Sequence, residues 1–241
     1  MNRIAVVVIM VLVVAMPLLA GGSQEEVRGA EPEAADGLSV TVEEGEEYLH
    51  KLKVLPLIRI KSPPQLVVWT ETADGEFLET LYVTGRTGEQ SWRSAPLDKT
   101  PADEIRRPEA LPVWQHRSKG ENLDGRTGAT PEDGYEVLAR SPEEGRVRLF
   151  LEVNHSTDFN ESYPKDASQD SPAYSGGPWG SGQPSLVYSA HLDITGGEKS
   201  VELELIGHGS PDGSDGEIYA SMEGITTARE IIQSARVAKV E

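Results

Sequence analysis

The chain has 241 residues, of which 40 are acidic and 22 basic, giving a formal net charge of −18. Such a surface repels phosphate backbones and anionic lipid heads, which argues against nucleic-acid and membrane-surface binding. The absence of cysteine excludes disulfides, thiol nucleophiles, iron–sulfur clusters and thiolate zinc sites. Frequent glycine and proline, without long helical periods, predict a sandwich or barrel of short strands.

Residues 1–20 have the features of a secretory signal peptide. Arg3 precedes an unbroken apolar stretch over residues 4–20, and the small residues 21–23 follow it. Leu18 and Ala20 would occupy the positions that a signal peptidase inspects, so we expect cleavage after Ala20 and a periplasmic or otherwise extracytoplasmic protein. The alternative is an uncleaved anchor helix, for which the stretch is short. The same tail resembles a lipoprotein box without its cysteine, which predicts no lipid anchor and, after cleavage, no membrane contact.

The remaining residues divide into a tether and one domain. Residues 21–37 are acidic and have few apolar side chains to bury, which predicts a disordered tether. Residues 38–241 are expected to form a single β-sandwich domain. In chain order, its predicted strands cover residues 39–43, 48–60 with a break at Pro56, 65–72, 77–84, 135–139, 146–154, 185–194, 201–205 and 235–240. Thr227, three residues before Glu230, suggests a capping box for a short C-terminal helix.

The clearest predicted unit is a hairpin. Two β-branched and aromatic runs, 65–72 and 77–84, flank the turn sequence at 73–75, which contains Asp-Gly. Trp69 in the first run is expected to be a core residue. In the strand at 146–154, apolar residues alternate on one face, and Phe150 on the other face predicts that both faces of the sheet are covered.

Two long irregular stretches, 85–131 and 156–184, interrupt the strands, and loops of this length are often functional. The second contains Tyr163, Tyr174 and Trp179. These aromatic side chains could stack on a sugar or flavin ring, or they could pin the loop to the body of the sandwich.

The most specific local motif is Asp124-Gly125-Arg126-Thr127-Gly128-Ala129-Thr130. It fits D-x-x-[ST]-G-A-[ST] and resembles the covalent FMN-attachment site of exported flavoproteins such as the sodium-pumping quinone reductase. The resemblance implies that a separate Mg²⁺-dependent flavin transferase reads Asp124, Thr127, Gly128 and Ala129 and joins FMN to the hydroxyl of Thr130. It also implies a membrane redox partner. The alternative is a glycine-containing loop in which Pro131 holds Thr130 in extended geometry.

A wider resemblance covers most of the chain. The runs PQLVVWTETADGEFLETLYVTGR, DGRTGATPEDGYEV, RLFLEVNHSTDFNESY and SGQPSLVYSAHLD are similar to a bacterial family of predicted periplasmic proteins of unknown function. Members tend to be encoded near flavin transferases and redox-associated membrane proteins, which implies a link to an envelope redox system. The hairpin also resembles the immunoglobulin-like (Ig-like) domain of flagellar hook-capping proteins, which implies an Ig-like sandwich.

Metal or hydrolytic chemistry is a weaker interpretation. His191 and Asp193 share a strand face beside Ser189 and, with His155 or His208, could bind a metal or form a hydrolytic triad. The alternative is that they lie on the solvent side of a half-buried strand. Two oxygen-rich clusters could suit calcium or could be ordinary Asx turns; they are Asn154 with Asp158, Asn160 and Glu161, and the residues 212–217.

The sequence therefore predicts an all-β, Ig-like antiparallel sandwich with two long excursions and a short C-terminal helix. For function it leaves three hypotheses. The first is a non-enzymatic periplasmic module that binds a protein or ligand and is linked to a redox system. The second is a flavinylated electron carrier with FMN on Thr130. The third is a metal-dependent or hydrolytic enzyme that uses His191 and Asp193.

Overall fold

The computed structural model describes residues 37–55, 58–90, 92, 101, 105–119, 123, 127–128, 135–140, 145–193, 195–196 and 199–240. The predicted signal peptide lies outside the described residues. So does the predicted tether, apart from Gly37, which begins the first strand. Within the described ranges, no helix has the length and apolar character needed to span a bilayer.

Twelve strands and two short helices make up the regular structure of the described residues. In chain order these are β1 Gly37–Glu44, β2 His50–Leu55, β3 Ile58–Ser62, β4 Gln65–Thr72, β5 Phe77–Thr84, α1 Gly85–Gly88, α2 Pro112–Arg117, β6 Thr127–Gly128, β7 Tyr135–Arg140, β8 Arg146–Asn154, β9 Leu186–Asp193, β10 Ser200–Glu202, β11 Glu204–His208 and β12 Ile232–Val240. Two 3-10 turns, Gly177–Trp179 and Thr227–Glu230, complete the set.

The strands form two main sheets and a separate hairpin. One sheet has the order β10-β12-β1-β7, the other β11-β9-β8-β4-β5-β6, and β2 pairs with β3 alone. The pairings are antiparallel except for β5 with β6, which is parallel and two residues long. The predicted all-β, antiparallel sandwich-like fold is confirmed.

The main core lies between the two large sheets. Alternate residues of β8 and β9 point into it, because successive side chains of a strand point to opposite faces. Residues from the other sheet close it from the opposite side; they include Leu38, Val40 and Val42 of β1 and Ala235 and Val237 of β12. Because the chain has no cysteine, this burial stabilises the fold without disulfides.

A second core covers the other face of the six-stranded sheet. Trp69 and Phe150 are fully buried there and stack with ring centroids 4.9 Å apart. Val113 and Trp114 of α2 pack against the same face. The prediction that Phe150 indicates two covered faces is therefore confirmed, and α2 with its neighbouring loops forms a third layer.

The predicted hairpin agrees with the structure in both strands and in the turn. Gly75 has φ +87°, a conformation that glycine adopts without steric cost. The capping box is wrong. The residue that precedes the C-terminal 3-10 turn is Thr226, without a side-chain cap, while the Thr227 hydroxyl donates to Asp158 Oδ1 at 2.7 Å. The Thr227 hydroxyl is therefore bonded to Asp158 of a distant segment and does not cap the helix.

Candidate functional site

A pocket of about 460 Å³ lies at one corner of the six-stranded sheet. Its walls are the β3–β4 turn (residues 62–65), the junction of β5 with α1 (residues 84–86), Glu89, and both residues of β6. Three segments that are distant in sequence meet here because β6 adds to the end of β5, with Val83 opposite Thr127 and Thr84 opposite Gly128. The pocket is the best candidate for a ligand site among the described residues.

One glycine, Gly88, allows β6 to approach β5 so closely. A Cβ atom on Gly88 would lie 2.8 Å from Thr127 Cγ2 and 2.8 Å from Val83 Cγ1, which is closer than real side chains come. A Cβ on Gly85 would lie 3.5 Å from the Gly128 carbonyl, an ordinary contact. Gly88 is therefore the residue that brings Thr127 against the end of β5.

The polar groups of the pocket differ in how they are held. The buried Thr84 hydroxyl accepts a hydrogen bond from the Leu66 N–H at 3.3 Å, so this hydroxyl holds β4 and β5 together. Arg86 and Glu89 are exposed, and neither forms a salt bridge within the part of the chain that the structure describes. The pocket thus has one cation and one anion that form no salt bridge among the described residues.

Two residues of the predicted flavin motif line this pocket. Thr127 and Gly128 form β6 and line the pocket wall. Asp124, Ala129 and Thr130 lie outside the described residues. The structure therefore brings the two described residues of the motif to the same site as Arg86.

The predicted metal and hydrolytic residues are not brought together. Asp193 closes a local turn: Oδ1 accepts hydrogen bonds from the Thr195 hydroxyl at 3.0 Å and the Gly196 N–H at 2.9 Å, and these lower its pKa. His191 is exposed, and the Ser189 hydroxyl accepts a hydrogen bond from Arg148 Nε at 2.8 Å. His191 and Asp193 therefore lie toward solvent at the end of β9, whereas Ser189 is buried.

The other candidate histidines lie elsewhere. His208 pairs with Leu186 at the opposite end of β9 from His191. His155 is buried, its Nε2 lies 3.0 Å from the Glu47 carbonyl, and burial lowers its pKa to about 3. Across the described ranges, no three His, Asp or Glu side chains are grouped so that they could hold a metal ion.

The carboxylates of the oxygen-rich loops accept hydrogen bonds from other groups of the protein. Asp212 Oδ1 accepts from the Ser210 hydroxyl and the Ser214 N–H, as in an Asx turn. Asp158 instead connects distant segments: Oδ2 accepts from Gln183 Nε2 at 2.8 Å and Oδ1 accepts from Thr227. Tyr163, half-buried, packs against the main core, which agrees with the pinning role for that aromatic residue.

The sequence did not predict a buried carboxylate that fixes α2. Glu152 is fully buried; its Oε1 accepts from the Val113 N–H (3.2 Å) and the Ser185 hydroxyl (2.6 Å), and its Oε2 accepts from the Trp114 N–H (2.9 Å). Burial raises the pKa of Glu152 to about 7, and the hydrogen bonds oppose that effect. Glu152 supplies acceptors to the start of a helix that lacks a side-chain cap of its own.

Compared with known proteins, the chain matches no family model, no curated protein and no solved structure. Its function must therefore be argued from its own residues.

Proposed function

We propose that the chain is an exported, non-enzymatic β-sandwich module that binds a small ligand or a partner's side chains in the pocket beside β6. One observation carries the proposal: three segments of different parts of the chain converge there and leave Arg86 and Glu89 without salt-bridge partners among the described residues. Concave sites with a few convergent polar groups are where ligands usually bind. Export follows from the apolar N-terminal sequence.

The absence of cysteine allows a direct test in cells. We would introduce a single cysteine on the pocket wall, Ser62→Cys, which keeps Arg86 and Glu89, and attach a short photo-crosslinker to it in intact cells. Ser200→Cys, at an exposed residue of β10 in the other sheet, is the matched control. We expect a crosslinked product from Ser62→Cys that is weak or absent from Ser200→Cys. Equal products from both positions, or none from either, would contradict binding at the pocket.

A second candidate function is a flavinylated electron carrier linked to an envelope redox system. It is favoured by the position of Thr127 and Gly128 on the pocket wall. Thr130, the residue to which FMN would be attached, follows Gly128 by two positions in the sequence. Arg86 would then be available to a phosphate group, since guanidinium pairs well with phosphate oxygens.

Co-expression with a flavin transferase tests this candidate. We expect an intact mass increased by one FMN less one water, the loss of that increase in Thr130→Ala, and its retention in Thr195→Ala, a control threonine remote in sequence. An unmodified mass beside an active transferase, shown to be active on another substrate, would reject flavinylation and leave the binding module untouched.

A further inference from the structure

Glu109 is a buried carboxylate that the pocket does not use. It lies in the segment before α2 and is only 2% exposed. Its Oε1 atom is buried without a hydrogen-bond partner, and Arg107 Nη1 lies 3.7 Å from it. A buried acceptor without a donor is uncommon in folded proteins and calls for a physical reason.

A glycine-rich segment closes over this carboxylate. We call residues 175–182, with the sequence SGGPWGSG, the glycine cover. A Cβ atom on Gly176, whose φ is +86°, would lie 2.1 Å from Glu109 Oε1. The carboxylate therefore lies directly against the Gly176 backbone, and a larger residue at that position could not close over it.

The main-chain carbonyl of Glu109 has hydrogen-bond partners of its own. The Glu109 carbonyl accepts hydrogen bonds from Asn154 Nδ2 at 3.1 Å and from the Ser181 hydroxyl at 3.2 Å. The segment before α2, strand β8 and the glycine cover thus meet at one residue. Within this junction, the carboxylate atom Oε1 has no hydrogen-bond donor and has only the ion pair with Arg107.

Among the described residues, Arg107 is the charged group within ion-pair distance of Glu109. Arg107 lies on the same segment as Glu109 and is the cation that acts on it. The glycine cover has no ionisable side chain, and β8 contributes the amide of Asn154. Asp158, whose pKa is raised by burial, lies against the far end of the glycine cover, where its N–H donates to the Ser181 carbonyl at 2.7 Å. The turn after β11 brings Gly213 against the Glu109 main chain, and the neighbouring Asp212 carboxylate is held by Ser210 and Ser214.

The closed arrangement suits a neutral carboxyl group better than an ionised one. Burying a carboxylate is costly when one of its oxygens has no hydrogen-bond donor, and protonation removes the buried charge. Burial raises the pKa of Glu109 to about 7, with Arg107 offsetting part of the effect. Opening the cover would return Glu109 to water and to its ordinary pKa of 4.5. The closed state would then become less stable relative to the open state as pH rises from about 4.5 to about 7.

We propose that Glu109 is a proton-controlled latch: with a neutral carboxyl group the glycine cover closes over it, and ionisation releases the cover. The device would let the surface made by residues 175–182 respond to external pH while the two-sheet sandwich stays folded.

Hydrogen exchange of the purified protein, read in peptides that cover residues 174–183, tests the latch. After correction for intrinsic rates, we expect exchange on the order of tenfold faster at pH ~8 than at pH ~5.5. Glu109→Gln, which stays neutral, should remove this pH dependence. Glu204→Gln, an exposed glutamate on β11, should retain it. Glu152 acts on α2, so its titration should be seen in peptides from residues 112–118 instead.

Two results would overturn the latch. One is the same pH dependence of the cover in Glu109→Gln as in the wild type. The other, which needs no variant, is an NMR titration in which the Glu109 carboxyl carbon titrates near the ordinary glutamate pKa. The NMR titration can contradict the latch even if Glu109→Gln does not fold.

Discussion

At the scale of single residues, the structure depends on buried carboxylates that look unremarkable in the sequence. Glu152 alternates with apolar neighbours along β8, as an outward polar residue of a strand would. It is fully buried because Val113 and Trp114, almost forty positions earlier in the chain, bring α2 against it. The long-range partner could not be predicted from local periodicity, whereas the buried positions of Trp69 and Phe150 could.

Replacing Glu152 by alanine should destabilise the protein strongly. The change removes the acceptor of three hydrogen bonds and leaves two backbone donors of α2 buried without partners. We expect the free energy of unfolding to fall by about 2–4 kcal/mol, measured by urea denaturation near pH 6. Glu204→Ala, on an exposed position of β11, should change it by no more than about 0.5 kcal/mol. A loss for Glu152→Ala as small as that of the control would mean that α2 does not depend on this carboxylate.

At the scale of elements, prediction from the sequence succeeds where pairing is local. The β4–β5 hairpin has β-branched and aromatic runs around an Asp-Gly turn, strands β8 and β9 have period-two apolar patterns, and the structure confirms all of them. The short elements of the long irregular stretch, α2 and β6, were not predicted. Neither has a repeating pattern, because α2 is fixed by a side chain of β8 and β6 by an edge of β5.

The attachment of β6 should depend on Gly88. Alanine at this position would place its Cβ 2.8 Å from both Thr127 and Val83 side chains, so β6 must shift away from β5. Overpacking of this kind typically costs about 1–3 kcal/mol, which we expect in urea unfolding of Gly88→Ala. Gly85→Ala is the matched control, because its Cβ would have no neighbour closer than 3.5 Å. Equal stability of the two variants would show that the contact between α1 and β6 is loose.

At the scale of the whole molecule, burial of ionisable groups sets how stability varies with pH. Burial raises the pKa values of Glu109 and Glu152 to about 7 and lowers that of His155 to about 3. Between about pH 4.5 and 7 the folded state holds more protons on the two glutamates than the unfolded chain does, so their contribution falls as pH rises. Between about pH 3 and 6.5 the folded state holds fewer protons on His155, so its contribution rises.

We expect these opposing trends to give a maximum of stability at mildly acidic pH. Below that pH the His155 effect dominates, and above it two glutamates outweigh one histidine, with the burial of Asp158 and the net charge of −18 acting in the same direction as the glutamates. Urea midpoints measured from pH ~3.5 to ~8 should therefore peak in mildly acidic buffer. The double variant Glu109→Gln/Glu152→Gln should lose most of the decline between pH ~5 and ~7. A wild-type maximum above pH ~7 would contradict the buried, raised-pKa state of these two carboxyl groups.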